Sequence, residues 1–137
     1  MNHRGAGILY TDGKKVLILY RSTKAKNYPN TWAPTGGGIE NGENFLETAK
    51  RESLEEIGAY KGSKIAQFND VFVMFVFKVD KPFNVRLNAE HTKAEWVDID
   101  KVENYKLHPN FRKEWSKYRK AIEKNKYSFK EWLKFLN

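Results

Sequence analysis

The chain contains no cysteine. Disulfides, thiolate metal sites and cysteine nucleophiles are therefore excluded. Long apolar runs are missing as well. The opening MNHRGAGILY mixes polar and apolar residues and predicts neither a signal peptide nor a membrane span. Histidine is scarce, with three in 137 residues, and none has a partner at metal-ligand spacing in the sequence. No internal repeat and no linker divides the chain. The expectation is a soluble, cytoplasmic protein with a single domain over residues 1–137, as a monomer or homodimer. Its 40% apolar and 15% aromatic residues suffice for a core.

Negative charge is short only at one end. Residues 1–100 hold 14 Lys+Arg against 13 Asp+Glu, whereas residues 101–137 hold 11 against 4. The basic C-terminal segment suits contact with a polyanion such as RNA, and it equally suits a solvated helical face.

AGILY and KVLILYRS read as two strands joined at Asp12-Gly13, a strong hairpin signal. TWAP is a short extended piece that Pro34 keeps out of helix. Glycines 36 to 38 and Asn41-Gly42 predict a flexible turn. From Glu43 to Ile57 the pattern becomes helical, with Leu46, Ala49, Ser53 and Ile57 on one side and Gly58 as the stop. VFVMFVFKV, residues 71–79, predicts a buried central strand, and AEWVDID another short one. After LHPN, residues 109–137 predict two amphipathic helices. Phe111, Trp115, Tyr118 and Ile122 line the first; Phe129, Trp132, Leu133 and Leu136 line the second, which Ser128 and Glu131 would open as a capping box. The element order predicts an α/β fold, a mixed sheet with helices on both faces.

Three glutamates, Glu52, Glu55 and Glu56, crowd the end of the first helix. Like charges at this spacing destabilise a helix by about 0.2–0.5 kcal/mol per pair. Their position in its last turns also opposes the helix dipole. At i, i+3 and i+4 they share one face, where their repulsion disappears if divalent cations bind. Carboxylate oxygens suit Mg²⁺ or Mn²⁺. Arg51 has the spacing to reach Glu47 or Glu55 and orient a ligand, and Glu43 falls in the first turn, where the dipole favours it. A solvated acidic helix face would carry the same three residues.

The wider pattern separates these readings. Gly37, five residues, Glu43, seven residues, then Arg51-Glu52-Ser53-Leu54-Glu55-Glu56-Ile57-Gly58-Ala59 resembles the Nudix box, Gly-x5-Glu-x7-Arg-Glu-U-x-Glu-Glu-x-Gly-U, with U a bulky apolar residue. Every charged and glycine position matches. The departures are Ser53 and Ala59 at the two U positions, and Pro-Thr-Gly-Gly where Pro-Gly-Gly usually precedes the box. VLILYRS, YPNTWAPTGGGIENGE, LNAEHTKAEWVDID and LHP also look like Nudix hydrolase segments, so the resemblance spans roughly residues 5–110.

The resemblance implies an α/β/α sandwich and hydrolysis of nucleoside diphosphates linked to another group. It implies Glu52, Glu55 and Glu56 as metal ligands, supplemented by a carbonyl of Gly36 or Gly37. Water would attack phosphorus in a pyrophosphate, with Glu55, Glu56 or Glu90 as general base. Glu90 lies five residues before a Glu-Trp pair, as a functional glutamate does in similar members, and it equally fits a surface glutamate. Arg21 suits a phosphate contact or a structural salt bridge. Trp32 suits stacking on a base or packing in a core strand. His91 and His108 read as loop histidines.

No proline about fifteen residues past the box and no tyrosine in the mid-seventies marks a known subclass. The expected substrate is a generic nucleotide such as a (d)NTP, a damaged nucleotide or a nucleotide sugar. Alternatives are a 5′-end RNA pyrophosphohydrolase using the basic segment, and a non-catalytic binding module, which the intact box disfavours. An isoprenoid diphosphate isomerase would need the missing cysteine.

Overall fold

The computed structural model describes residues 4–136, with side chains described as far as Lys126. Seven strands form one mixed sheet: β1 Gly5–Thr11, β2 Lys15–Arg21, β3 Trp32–Ala33, β4 Thr35–Gly38, β5 Ser63–Asn69, β6 Phe72–Lys78 and β7 His91–Asp98. Two α-helices, α1 Phe45–Ile57 and α2 Pro109–Leu136, cover it, and a short 3-10 helix spans Ile99–Asn104.

The Asp12-Gly13 turn forms as expected. Asp12 Oδ1 accepts the amides of Lys14 and Lys15, and Gly13 has φ 100°. Beyond it, however, β1 and β2 splay, since Thr11↔Val16 is the recorded pair between them. β6 runs parallel along all of β1, and β7 runs antiparallel along all of β2. A strand has two edges, so what fills the gap must pair with the remaining edge of each. One short segment does both: β3 pairs with Leu19 and Tyr20, the chain passes Pro34, and β4 pairs with Gly5 through Ile8. Glycines 36 to 38 are thus strand rather than the flexible turn their composition predicts. Thr35, the extra residue before the two glycines, pairs with Ile8 and donates its hydroxyl to the Ile8 carbonyl at 3.1 Å.

Alternation along the strands sends two sets of side chains to two faces. Ala6, Ile8, Tyr10, Leu17, Leu19, Val73, Phe75 and Phe77 pack with Ala49 and Ile57 of α1. Leu9, Val16, Ile18, Met74 and Val76 pack with Phe111, Trp115, Tyr118 and Ile122 of α2. The layered α/β arrangement and the buried central strand, here β6, match the sequence reading.

Three expectations give way. The C-terminal segment is one helix of 28 residues, not two. Nothing between Glu123 and Ser128 breaks it: there is no glycine or proline, and the polar residues present cost only a few tenths of a kcal/mol (~0.5) in a helix. Ser128 and Glu131 therefore have no helix start to cap, and the side chains of Phe129, Trp132, Leu133 and Leu136 lie outside the described residues. Leu46 is exposed, and the buried side of α1 is Thr48, Ala49, Ser53, Glu56 and Ile57. The sequence reading assigned nothing to residues 63–69, yet β5 forms there; a bulge between Lys64 and Ala66 breaks the alternation that would have marked it.

Candidate active site

The glutamates owe their placement to how α1 is anchored. Asn44 caps its start, accepting the Glu47 amide at 2.8 Å while Glu47 accepts the Asn44 amide at 3.1 Å. Gly58, at φ 69°, ends it and returns its amide to Leu54. Glu47 is thus used by the cap and does not meet Arg51. Glu43 precedes the cap and lies outside the helix. Its carboxylate grips Arg51 in two places, Nε at 2.7 Å and Nη2 at 3.0 Å. Arg51, then the Glu40 amide, hold the Glu43 carboxyl down at about 2. Arg51 also donates to Glu52 at 2.8 Å and to the Gly38 carbonyl at 2.9 Å, with Glu55 at 3.5 Å. One guanidinium therefore ties the end of β4, the loop before α1 and the helix itself together.

The two departures at the apolar box positions are compensated by hydrogen bonds. Ser53 is fully buried and donates to the Ala59 carbonyl at 2.6 Å, so it must accept the Tyr10 hydroxyl proton across 2.7 Å. Burial pushes the Tyr10 hydroxyl up to about 12.

Glu52 lies against Gly37. A Cβ at Gly37 would sit 2.4 Å from the Glu52 carboxyl, so only glycine admits this approach. Burial first, opposed by Arg51, raises the Glu52 carboxyl above its usual range. Glu55 stays half exposed at the rim. Glu56 is 2% exposed. One of its oxygens accepts the Gly36 amide at 2.7 Å, and the other lies 3.5 Å from His91 Nε2. Burial, with Glu52 and Glu90 adding to it against the pull of Gly36 and Arg21, pushes Glu56 up to about 9.

Glu90 and His91 arrive from the far side through the pairing of β7 with β2. Ser22 donates its amide to the Glu90 carbonyl at 3.1 Å, and His91 pairs with Arg21. Arg21 is half-buried, donates Nε to the Asn27 carbonyl at 2.9 Å, and acts electrostatically on both Glu56 and His91. Burial, then Arg21, lowers His91 to about 4, so the ring is neutral at physiological pH.

The fold thus gathers Arg21, Gly36, Gly37, Arg51, Glu52, Glu56 and Glu90, with Glu55 at the edge. Trp32 does not join them: it is 9% exposed and packs against Tyr20 and Tyr105 on the α2 side of the sheet. That leaves little ring surface for a base. His91, read as a loop histidine, is instead the buried first residue of β7. Its only sequence signal was adjacency to Glu90.

The donor set fits a divalent cation. A buried carboxylate with two others near it, answered by one amide, a neutral ring and the charge of Arg21, is relieved by a proton or by a hard cation.

The NUDIX domain matches residues 1–118. The chain belongs to this family. It is 43% identical over 53 residues to the m7GpppN-mRNA hydrolase NUDT17 of Xenopus laevis, a match covering 39% of the chain and 18% of that relative, so the chain spans only a small part of its length. Nucleoside triphosphatase NudI of Escherichia coli O139:H28 is 24% identical over 126 residues, covering 77% of the chain and 88% of the relative. Among solved structures, the Nudix hydrolase RenU of M. smegmatis superposes with a TM-score of 0.71 at 21% identity, covering 88% of this chain and 85% of that one; this likeness concerns the fold.

Proposed function

We propose that the chain is a divalent-metal-dependent pyrophosphohydrolase that cleaves a nucleoside diphosphate linked to another group. The observation that carries this reading is the gathering of Glu52, Glu56 and Glu90 around a glycine strand that leaves room for them. Glu52, Glu55 and Glu56, with a carbonyl of Gly36 or Gly37, would hold Mg²⁺ or Mn²⁺. Bound there, the cation supplies neutralisation of the charge that builds on phosphoryl oxygens.

The protein's own groups divide the remaining tasks. Glu55, half exposed and only loosely tied to Arg51, would take a proton from the attacking water; Glu90 is the other candidate base. Arg51 positions Glu52 rather than touching substrate. Arg21 keeps guanidinium donors for a phosphate beyond the one spent on Asn27. Generic nucleotides, (d)NTPs, damaged nucleotides or nucleotide sugars, are the substrates proposed.

A second reading is a 5′-end RNA pyrophosphohydrolase. Lys113, Lys117, Lys120 and Lys124 follow one another at helical spacing on the exposed side of α2, and one relative is named as an mRNA cap hydrolase.

The test is phosphate and pyrophosphate release from (d)NTPs, oxidised nucleotides, nucleotide sugars, dinucleoside polyphosphates and triphosphorylated short RNA. It is run with Mg²⁺ or Mn²⁺ and with Glu55→Gln as control. Metal-dependent turnover lost in the control supports the first reading. Activity confined to RNA, falling steeply with salt, supports the second. Silence on the whole panel overturns both.

A further inference from the structure

His91 faces the carboxylates and has no part in the reading above. Its backbone is held by pairing with Arg21 and by its amide on the Asn88 carbonyl at 3.4 Å. Its ring Nδ1 lies 3.4 Å from Asn88 Oδ1. That same oxygen accepts the Glu90 amide at 3.1 Å, so the oxygen, not the nitrogen, of the Asn88 side chain is the end turned to this turn. With the ring proton on Nδ1, toward that oxygen, Nε2 keeps a bare lone pair.

That lone pair points to Glu56 Oε2 across 3.5 Å. Two acceptors facing each other in a buried space need either a proton or a cation between them. One donor atom from each of Glu56, Glu90 and His91 lies within 4.8 Å of the others. Two donors that share one ion at ~2.1 Å sit roughly 3.0–3.4 Å apart. The His91–Glu56 spacing is already near that, and Glu90 is exposed and free to close the third side. The surrounding charges suit a dication: Glu52 adds to the negative side, while Arg21 is the cation acting on Glu56 and His91 from β2.

We propose that His91 Nε2 is a nitrogen ligand to a divalent ion held with Glu56 and Glu90, so that this position takes first-row transition ions in preference to Mg²⁺. An imidazole donor suits such ions, whereas carboxylate and carbonyl sites also accept Mg²⁺. The inference rests on the metal-site reading above and makes His91 a further determinant of which metal the site selects.

The test is Mn²⁺ binding to the metal-free chain of residues 1–137, followed by pulsed electron paramagnetic resonance with and without ¹⁵N-histidine labelling. The expected result is coupling to a directly bound histidine nitrogen that changes with the label and disappears in His91→Asn. The ratio of Mn²⁺ to Mg²⁺ affinity should fall about tenfold in the same variant. Bound Mn²⁺ without histidine nitrogen coupling would overturn this inference and leave the carboxylate site standing. No Mn²⁺ binding at millimolar concentration would overturn both. The labelling experiment uses the unmodified chain, so an absence of histidine coupling overturns the inference even if His91→Asn does not fold, and His108→Asn, which should keep the coupling, separates the two ring candidates.

Discussion

α1 and α2 pack on opposite faces of one sheet, and what they bury differs in proportion. α2 buries the apolar stripe Phe111, Trp115, Tyr118 and Ile122, and beside it one carboxylate, Glu114, which the exposed Lys117 pairs at 2.7 Å. α1 buries Ala49 and Ile57, but also Thr48, Ser53 and a carboxylate, Glu56. Apolar burial returns about 25 cal/mol per Å² without directional demands. Buried polar groups contribute only when each finds its partner. The α2 face is therefore where stability is gained, and the α1 face is where the protein accepts a local cost to hold a chemical site. The anchors on α1 reflect this: a capping box, a two-point Arg51–Glu43 grip and the Tyr10–Ser53–Ala59 chain all fix a helix whose buried apolar side chains are Ala49 and Ile57 alone.

The sharpest way to break the comparison is one substitution on each face. Trp115→Ala should lower stability by about 3–5 kcal/mol, read by urea or thermal denaturation, while the folded fraction keeps its metal affinity. Glu56→Gln should do the reverse. Turnover should fall by about 10²–10³-fold, equivalent to about 2.7–4 kcal/mol in the barrier, as should metal affinity, with the fold intact by circular dichroism. Equal losses of stability in both variants would erase the distinction.

A smaller effect separates the faces by pH. Glu56 has an ordinary value of 4.5 and stands at about 9 in the fold, so the folded state holds the extra proton between those values. Stability from this group is complete below 4.5 and is lost as pH rises through 9. His91 runs the other way: lowered from 6.5 to about 4, its contribution is present above 6.5 and lost as pH falls through 4. Between 4.5 and 6.5 the two offset, and above 6.5 only Glu56 remains. The metal-free protein should therefore lose at most about 3 kcal/mol between pH 6.5 and 9, at 1.36 kcal/mol per pH unit. Glu56→Gln should flatten that slope, and millimolar Mg²⁺ should raise the melting temperature at the high-pH end. A flat profile in the unmodified chain would remove Glu56 from its proposed state.

Two weaker perturbations sharpen the picture. Gly37→Ala puts a Cβ where the Glu52 carboxyl lies, and that carboxyl, at the end of its side chain, swings aside; metal affinity should weaken by about tenfold while stability changes by less than about 1 kcal/mol, read by Mn²⁺ titration and thermal denaturation. Asn44→Ala removes the cap and should cost about 1 kcal/mol, with metal affinity unchanged because Arg51 and Glu43 still hold the helix.

Some misreadings of the sequence were avoidable and others were not. The stripe Phe111, Trp115, Tyr118, Ile122 continues to Phe129, seven residues on, in the same helical phase, so a single helix was written in the spacing. The Ser128–Glu131 pair has the pattern of a capping box, which imitates a helix start inside it. β5 was harder, because its bulge removes the period-2 alternation on which strand reading depends. The glycines of β4 carry no β propensity at all; they are strand only because the splayed edges of β1 and β2 need a segment that can lie against Glu52 and the glycines of β1.

By itself, the sequence determined the layered α/β class, the first helix with its end at Ile57 and its stop at Gly58, and the shared face of Glu52, Glu55 and Glu56, because these follow from local periodicity and from residues close in the chain. Only the tertiary structure decided that Glu56 is buried beside Gly36 and His91, that Glu90 joins it from the turn before β7, that Trp32 belongs to the core, and that Arg51 answers to Glu43 rather than Glu47. Each of these depends on contacts between segments that pair across the sheet, and burial and charge act through space regardless of separation along the chain.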